Sequence, residues 1–222
     1  MPNIPIAQQV DVAVVGGTIG AVAAAVAAAE AGASVFLVAP RPYLGEDLCA
    51  ALRPWLEEDE APAGPLTKTI FGDRRQATPM QVKQALDRAL LDASVTFVLA
   101  SYPTGVLRDA GSLPAGVVMA NRAGRQAVVA KVLVDASHRG WVARMAGARC
   151  HPWPDEKIAL RRTVLGGTPT TEVQPEREIP CAAVDGHEGE VYREYRLDLS
   201  LPSGDYVALA QAEQEARDLT RG

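Results

Sequence analysis

The chain has 222 residues, 48% of them hydrophobic and 22% charged, which is enough apolar material for one large domain, or for one domain and part of another. Its net charge of −5 leaves no basic footprint for nucleic acid or for an anionic membrane surface. The three cysteines, Cys49, Cys150 and Cys181, have neither metal-ligand nor redox spacing, and so sparse and odd a set fits reduced thiols in a cytoplasmic protein.

Residues 1–10 read as a lead-in. The stretch from Asp11 to Gly45, DVAVVGGTIGAVAAAVAAAEAGASVFLVAPRPYLG, carries the strongest signal. A short apolar strand over 11–15 enters a glycine turn, a helix follows over 19–31, and a second strand covers 34–38. Eight alanines between Ala21 and Ala31 favour the helix on propensity and let it lie close to a sheet. This order is the first βαβ unit of a doubly wound parallel sheet, and its turn offers backbone N–H groups to a phosphate at a helix N-terminus. Residues 12–29 are uncharged, but they hold three glycines, are dominated by Ala and follow Asp11 with no Lys or Arg before it. Neither a membrane span nor a signal peptide is therefore expected.

Pro40 and Pro42 force an irregular path through Arg41, Tyr43 and Gly45. A helix is predicted over 47–57, followed by the solvated linker EEDEAPAGP. Thr78, Pro79 and Gln81 form a capping box for the next helix, with Met80, Val82, Ala85, Leu86, Ala89 and Leu90 facing the sheet. Val95–Leu99 is a buried-type third parallel strand, and the apolar runs 117–120 and 127–134 flank a hairpin loop at 121–125. DASHRG ends that strand before a short helix over 141–146. Beyond residue 150 the texture changes, with strands expected at 158–165, 172–173 and 191–201 and an amphipathic helix at the end. The domains expected are therefore 1–150 and an incomplete β-containing region at 151–222.

The segments GGTIGAVAAAVAAAEAG, PRPYLGEDL and VLVDASHRGWVARMAGA resemble the FAD-dependent oxidoreductases with a glutathione-reductase-type, Rossmann-like FAD domain. The nearest group has an rPylGG loop after its second strand. The resemblance covers about residues 10–57 and 94–148. Family members are longer and carry a C-terminal FAD-contacting segment that has no counterpart here, so it implies an N-terminal part or a truncated relative. FAD is the cofactor implied, with a small organic substrate, no nucleic acid or membrane partner, and a homo-oligomer left open.

Counted back from Gly32, the family's three glycines fall on Gly16, Thr18 and Ala21. The resemblance assigns the pyrophosphate to Gly16, Gly17, Thr18, Ile19 and Gly20, and the path beyond strand two to Ala39, Pro40, Arg41 and Gly45. Gly140 matches a glycine of the later strand end, while His138 stands where the family has another. The acid that would hold the adenosine ribose falls on Ala39. A missing acid with Arg41 nearby leaves an NADP-binding reductase open, and a degenerate, non-catalytic remnant of the fold is the other alternative. Cys49 lies near the first cysteine of the flavin disulfide reductases, but its partner position is Pro54, which removes that activity. His151 and His187 have no ligand partners at metal spacing, and no residue carries the signature of a catalytic acid or base. In Arg161-Arg162, the inward guanidinium needs a carboxylate or an anionic ligand.

Overall fold

The structure, a computed structural model, describes residues 4–151, 156–181 and 189–221; His187 lies outside them. The chain forms two compact units, residues 1–50 with 54–149, and residues 51–53 with 150–222.

The first unit holds a six-stranded sheet of β1 (Ile6–Val15), β2 (Val35–Val38), β3 (Thr96–Val98), β4 (Tyr102–Arg108), β5 (Pro114–Asn121) and β6 (Gly124–Asp135) in the order β3-β2-β1-β6-β5-β4. The first four are mutually parallel, and β4 and β5 are antiparallel neighbours. Alternation along the strands divides the core. Val14, Val35 and Leu37 face α1 (Ile19–Glu30), α3 (Pro65–Phe71) and α4 (Pro79–Asp92), while Ala13, Val15, Phe36 and Val38 face the other way, with Val142 of α5 (Trp141–Met145). This is the expected α/β fold with a parallel sheet, helices on both faces and a β-hairpin.

Local chemistry explains the helix limits. Gly32, at φ +88°, ends α1 in a Schellman motif, with Gly32 N–H to Ala29 O and Ala33 N–H to Ala28 O. The α4 capping box is complete: Gln81 N–H donates to Thr78 Oγ1 at 3.1 Å and Thr78 N–H to Gln81 Oε1 at 2.9 Å.

In this unit four expectations need correction. Residues 6–10 belong to β1, because β6 extends past β2 and pairs with them. The helix over 47–57 shrinks to α2 (Glu46–Cys49), since Leu52 takes φ +53° and Pro54 bars Arg53 from helical geometry. α3 begins at Pro65, the last residue of the presumed linker, and buries Ile70 and Phe71. Met80 is 60% exposed, outside the buried stripe of Val82, Leu86 and Leu90.

The second unit pairs β7 (Glu156–Leu165), β9 (Val191–Leu201) and β8 (Arg177–Pro180) antiparallel in the order β7-β9-β8. Residues 172–173 are irregular, and the strand lies at β8 instead. Tyr195, Leu197, Leu199 and Leu201 pack on Leu209, Ala212 and Ala216 of α6 (Tyr206–Leu219). The inward Arg162 meets a hydroxyl rather than a carboxylate: its Nε donates to Thr220 Oγ1 at 2.8 Å, at the negative end of α6. On the opposite face of β9, Glu194 is buried between Arg177 Nε at 2.7 Å and Arg53 Nε at 2.9 Å, the latter an ion pair outside hydrogen-bond geometry.

Candidate functional site

The site is built where β1 passes into α1, beside the end of β6. Ala136 N–H donates to Val15 O, and Gly16 N–H donates to Val38 O, both at 2.9 Å. The strands draw so close that a Cβ on Gly16 would stand 2.2 Å from Ala136 O, and Gly16 also has φ +142°. Glycine is therefore obligatory at 16 for strand packing, whatever the turn binds. Gly17 is buried, a Cβ there would meet that of Ala39 at 3.3 Å, and its carbonyl accepts Gly45 N–H at 2.7 Å.

Thr18 occupies the position of the family's second glycine with ordinary extended angles, φ −77° and ψ 167°. Its Oγ1 turns back on α1 and accepts Ala21 N–H at 3.1 Å, so it caps the helix instead of filling the space in front of it. Gly20 is exposed on the first turn, and a Cβ there would meet nothing closer than Thr18 Oγ1 at 3.7 Å.

The loop after β2 packs on this turn. Ala39 is fully buried and bonds through its backbone, donating to Val98 O at 2.9 Å and accepting Ser101 N–H at 3.0 Å. Pro40 is buried beside it, and Arg41 extends outward, 3.4 Å from a carboxylate oxygen of Glu46. Gly45 needs its freedom as Gly16 does: it has φ +80°, and a Cβ would lie 2.7 Å from Val82 Cγ1 and 2.9 Å from Leu86 Cδ1 of α4. Its tie to Gly17 sets where α2 starts, and thereby where Asp47 points.

Asp47 is the residue the sequence reading missed. Its carboxylate receives Ile19 N–H, the first amide of α1, with Oδ1 at 3.2 Å and Oδ2 at 3.1 Å. Part of the residue faces solvent, yet desolvation of the carboxyl raises its pKa above the ordinary value, opposed by the Ile19 amide. One sequence signal pointed to it: an acid two residues past the loop glycine, in a chain with none at Ala39.

Gly140 lies one turn away, at φ +63°, where a Cβ would stand 3.8 Å from Asp135 Oδ2. Asp135 accepts Ser137 N–H at 3.0 Å and Ala143 N–H at 2.7 Å, which fixes the strand-to-helix turn through His138. Cys49 donates its thiol to Pro79 O at 3.7 Å, and burial pushes the thiol pKa up, which suits packing rather than redox chemistry. The structure thus gathers Gly16, Gly17, Thr18, Ile19, Ala39 and Gly45 around one turn. Arg41 is joined to this group through Glu46, and Gly140 through the strand end that abuts Gly16.

The backbone fits the diphosphate of a dinucleotide: a glycine turn and a capped helix N-terminus stand at the carboxyl end of β1, where strand order reverses between β2 and β6. The side chains do not yet fit, because the Asp47 carboxylate occupies the Ile19 amide. Among the described residues no helix is long and apolar enough to cross a membrane.

Fold and turn together define a doubly wound α/β protein with a glycine turn at its first helix. Solved structures share the architecture. One is a geranylgeranyl bacteriochlorophyll reductase-like protein from Thermoplasma acidophilum, 18% identical, with a TM-score of 0.60 over 97% of this chain and 63% of that one. Another is the myxobacterial chondrochloren halogenase CndH, described as a variant of FAD-dependent halogenases, 18% identical, with a TM-score of 0.55 over 96% of this chain and 58% of that one. The present chain thus spans less than two thirds of either. No curated protein matches the sequence significantly. The sequence profile of the FAD dependent oxidoreductases matches residues 11–218. The chain belongs to that family, whose cofactor is FAD.

Proposed function

We propose that this chain supplies the FAD-holding part of an oxidoreductase acting on a small organic substrate. The observation that carries the reading is the β1–α1 junction, a glycine turn at a helix N-terminus within a sequence matched by the family over residues 11–218. The amides of residues 17–20 would hold the diphosphate, and the Ala39–Gly45 loop and the Asp135–Gly140 turn are the other residues that would line the cofactor. Bound FAD supplies the redox chemistry by accepting or returning a hydride equivalent, and the protein supplies position and electrostatics. The reading includes the glutathione-reductase-type form of the FAD domain and a cytoplasmic location.

The test uses the purified 222-residue chain. Uptake of FAD, with a visible flavin absorption band and a thermal shift, supports the reading; a ligand at a hundred times its Kd stabilises by about 2.7 kcal/mol. A shift with NADP but not FAD assigns the chain to the NADP-dependent reductases instead. No shift with either leaves a non-catalytic remnant of the fold, a reading favoured by the absence of a carboxylate at Ala39.

A further inference from the structure

A carboxylate and a diphosphate ask the same thing of a helix N-terminus: unpaired amide donors and the positive end of the dipole. In this chain the carboxylate is already there. Both oxygens of Asp47 lie within reach of Ile19 N–H, at 3.1 and 3.2 Å, the first amide of a twelve-residue helix. The placement is built in, since Gly45 N–H is tied to Gly17 O at 2.7 Å and α4 leaves no room for a side chain at 45.

No cation shares the load. Among the described residues Asp47 makes no ion pair; its charged neighbour Glu46 is another acid, held by Arg41. On α4, Lys83 stacks over the Tyr43 ring at 4.3 Å. Asp47 is therefore held by amides alone, that of Ile19 at the α1 terminus and those of Asp47 and Leu48 in the first turn of α2, and the residue borders solvent.

We infer that Asp47 is an internal stand-in for the cofactor's diphosphate, occupying the Ile19 amide in the ligand-free chain and leaving it when a dinucleotide binds. The inference rests on the FAD reading above and adds a residue that sets the affinity. With Asp47 in place the turn stays capped without cofactor, at the cost of weaker binding, because two anions cannot share one amide.

The experiment titrates FAD, ADP and adenosine into the full chain and into Asp47→Asn and Asp47→Ala, following flavin fluorescence and calorimetric heat, with the Tm of each ligand-free protein. Asn keeps an acceptor for the Ile19 amide but removes the charge; Ala removes both. The expected result is FAD and ADP affinity at least about tenfold higher in both variants, from the removal of one anion a few ångströms from another. Adenosine affinity is unchanged, and the ligand-free Tm falls by about 2–4 °C in Asp47→Ala alone, the loss of one helix cap. If the wild-type chain binds FAD and neither variant binds it tighter, the inference is overturned while the cofactor reading stands. If adenosine gains as much as ADP, competition with the diphosphate is likewise refuted. If no protein takes up FAD or ADP, the cofactor reading falls and the inference with it.

Discussion

Asp47 in the first unit and Glu194 in the second are both acids satisfied from within the chain, but by different means. Glu194 is 1% exposed and lies between two guanidinium groups, Arg177 at 2.7 Å and Arg53 at 2.9 Å. Asp47 leans on a neutral backbone amide at 3.1 Å, with a helix dipole behind it and water beside it. An acid buried this deeply and met by two guanidinium groups cannot turn out to solvent, so it is a structural fixture. An acid held by amides at the surface can be exchanged for another anion at small cost. Asp135 lies on the fixed side of this contrast, because its two oxygens are spent on Ser137 and Ala143 in ordering the turn that abuts Gly16.

The contrast requires the amide frame under Asp47 to be rigid even though its anion is exchangeable. Gly16→Ala tests that frame. Its new Cβ would stand 2.2 Å from Ala136 O at a φ of +142°, so β1 or β6 must move. The expected loss is about 4 kcal/mol or more, measured by urea unfolding, with loss of nucleotide binding. A loss under about 1 kcal/mol would show that the strand ends yield, and that Asp47 is not held in place.

Glu194→Ala comes next, at about 2 kcal/mol, because it removes a buried carboxylate that meets two guanidinium groups. The control is Glu178→Ala, which breaks the Arg193–Glu178 pair, where Glu178 is 47% exposed; a cost below about 1 kcal/mol is expected there. Equal losses in the two variants would remove the distinction between fixed and exchangeable acids.

The legible parts of this chain were those where one period or one cap decides the structure. The glycine turn, the Ala-rich helix and the Thr78 capping box fall where the residue pattern puts them, as do β9 and α6. Illegible parts depend on partners distant in sequence. The first half of β1 reads IAQQV, with neither alternation nor an apolar run, because β6 alone flanks it and both its faces are exposed. α3 hid behind Pro65, which can end a loop or begin a helix. Asp47 was hidden for a deeper reason. Its role comes from a hydrogen bond spanning 28 residues, set by the tie between Gly45 and Gly17, and no local spacing reports such a contact.

The smallest effects compare caps. Thr18 accepts Ala21 N–H at 3.1 Å on α1, and Asp205 accepts Ala208 N–H at 2.9 Å on α6. Thr18→Ala costs about 1 kcal/mol, and Asp205→Ala also lowers the Tm. Their pH responses separate neutral caps from charged ones, and one acid from another. The Ala208 amide and Ser203 hydroxyl hold the Asp205 pKa below its ordinary value, so its contribution is present above the unfolded pKa of about 3.9 and is lost as pH falls below it. Asp47 has the opposite sign: with its pKa raised by desolvation, its net burden on the fold is carried at higher pH and is relieved as pH falls through the folded pKa towards about 3.9. In a Tm-against-pH series, Asp205→Asn should remove part of the loss below about pH 4, Asp47→Asn should remove a gain just above it, and Thr18→Ala should leave the shape unchanged. Matching profiles for the two acid variants would mean that Asp47 is a cap like any other, with no tension at the α1 terminus for a diphosphate to relieve.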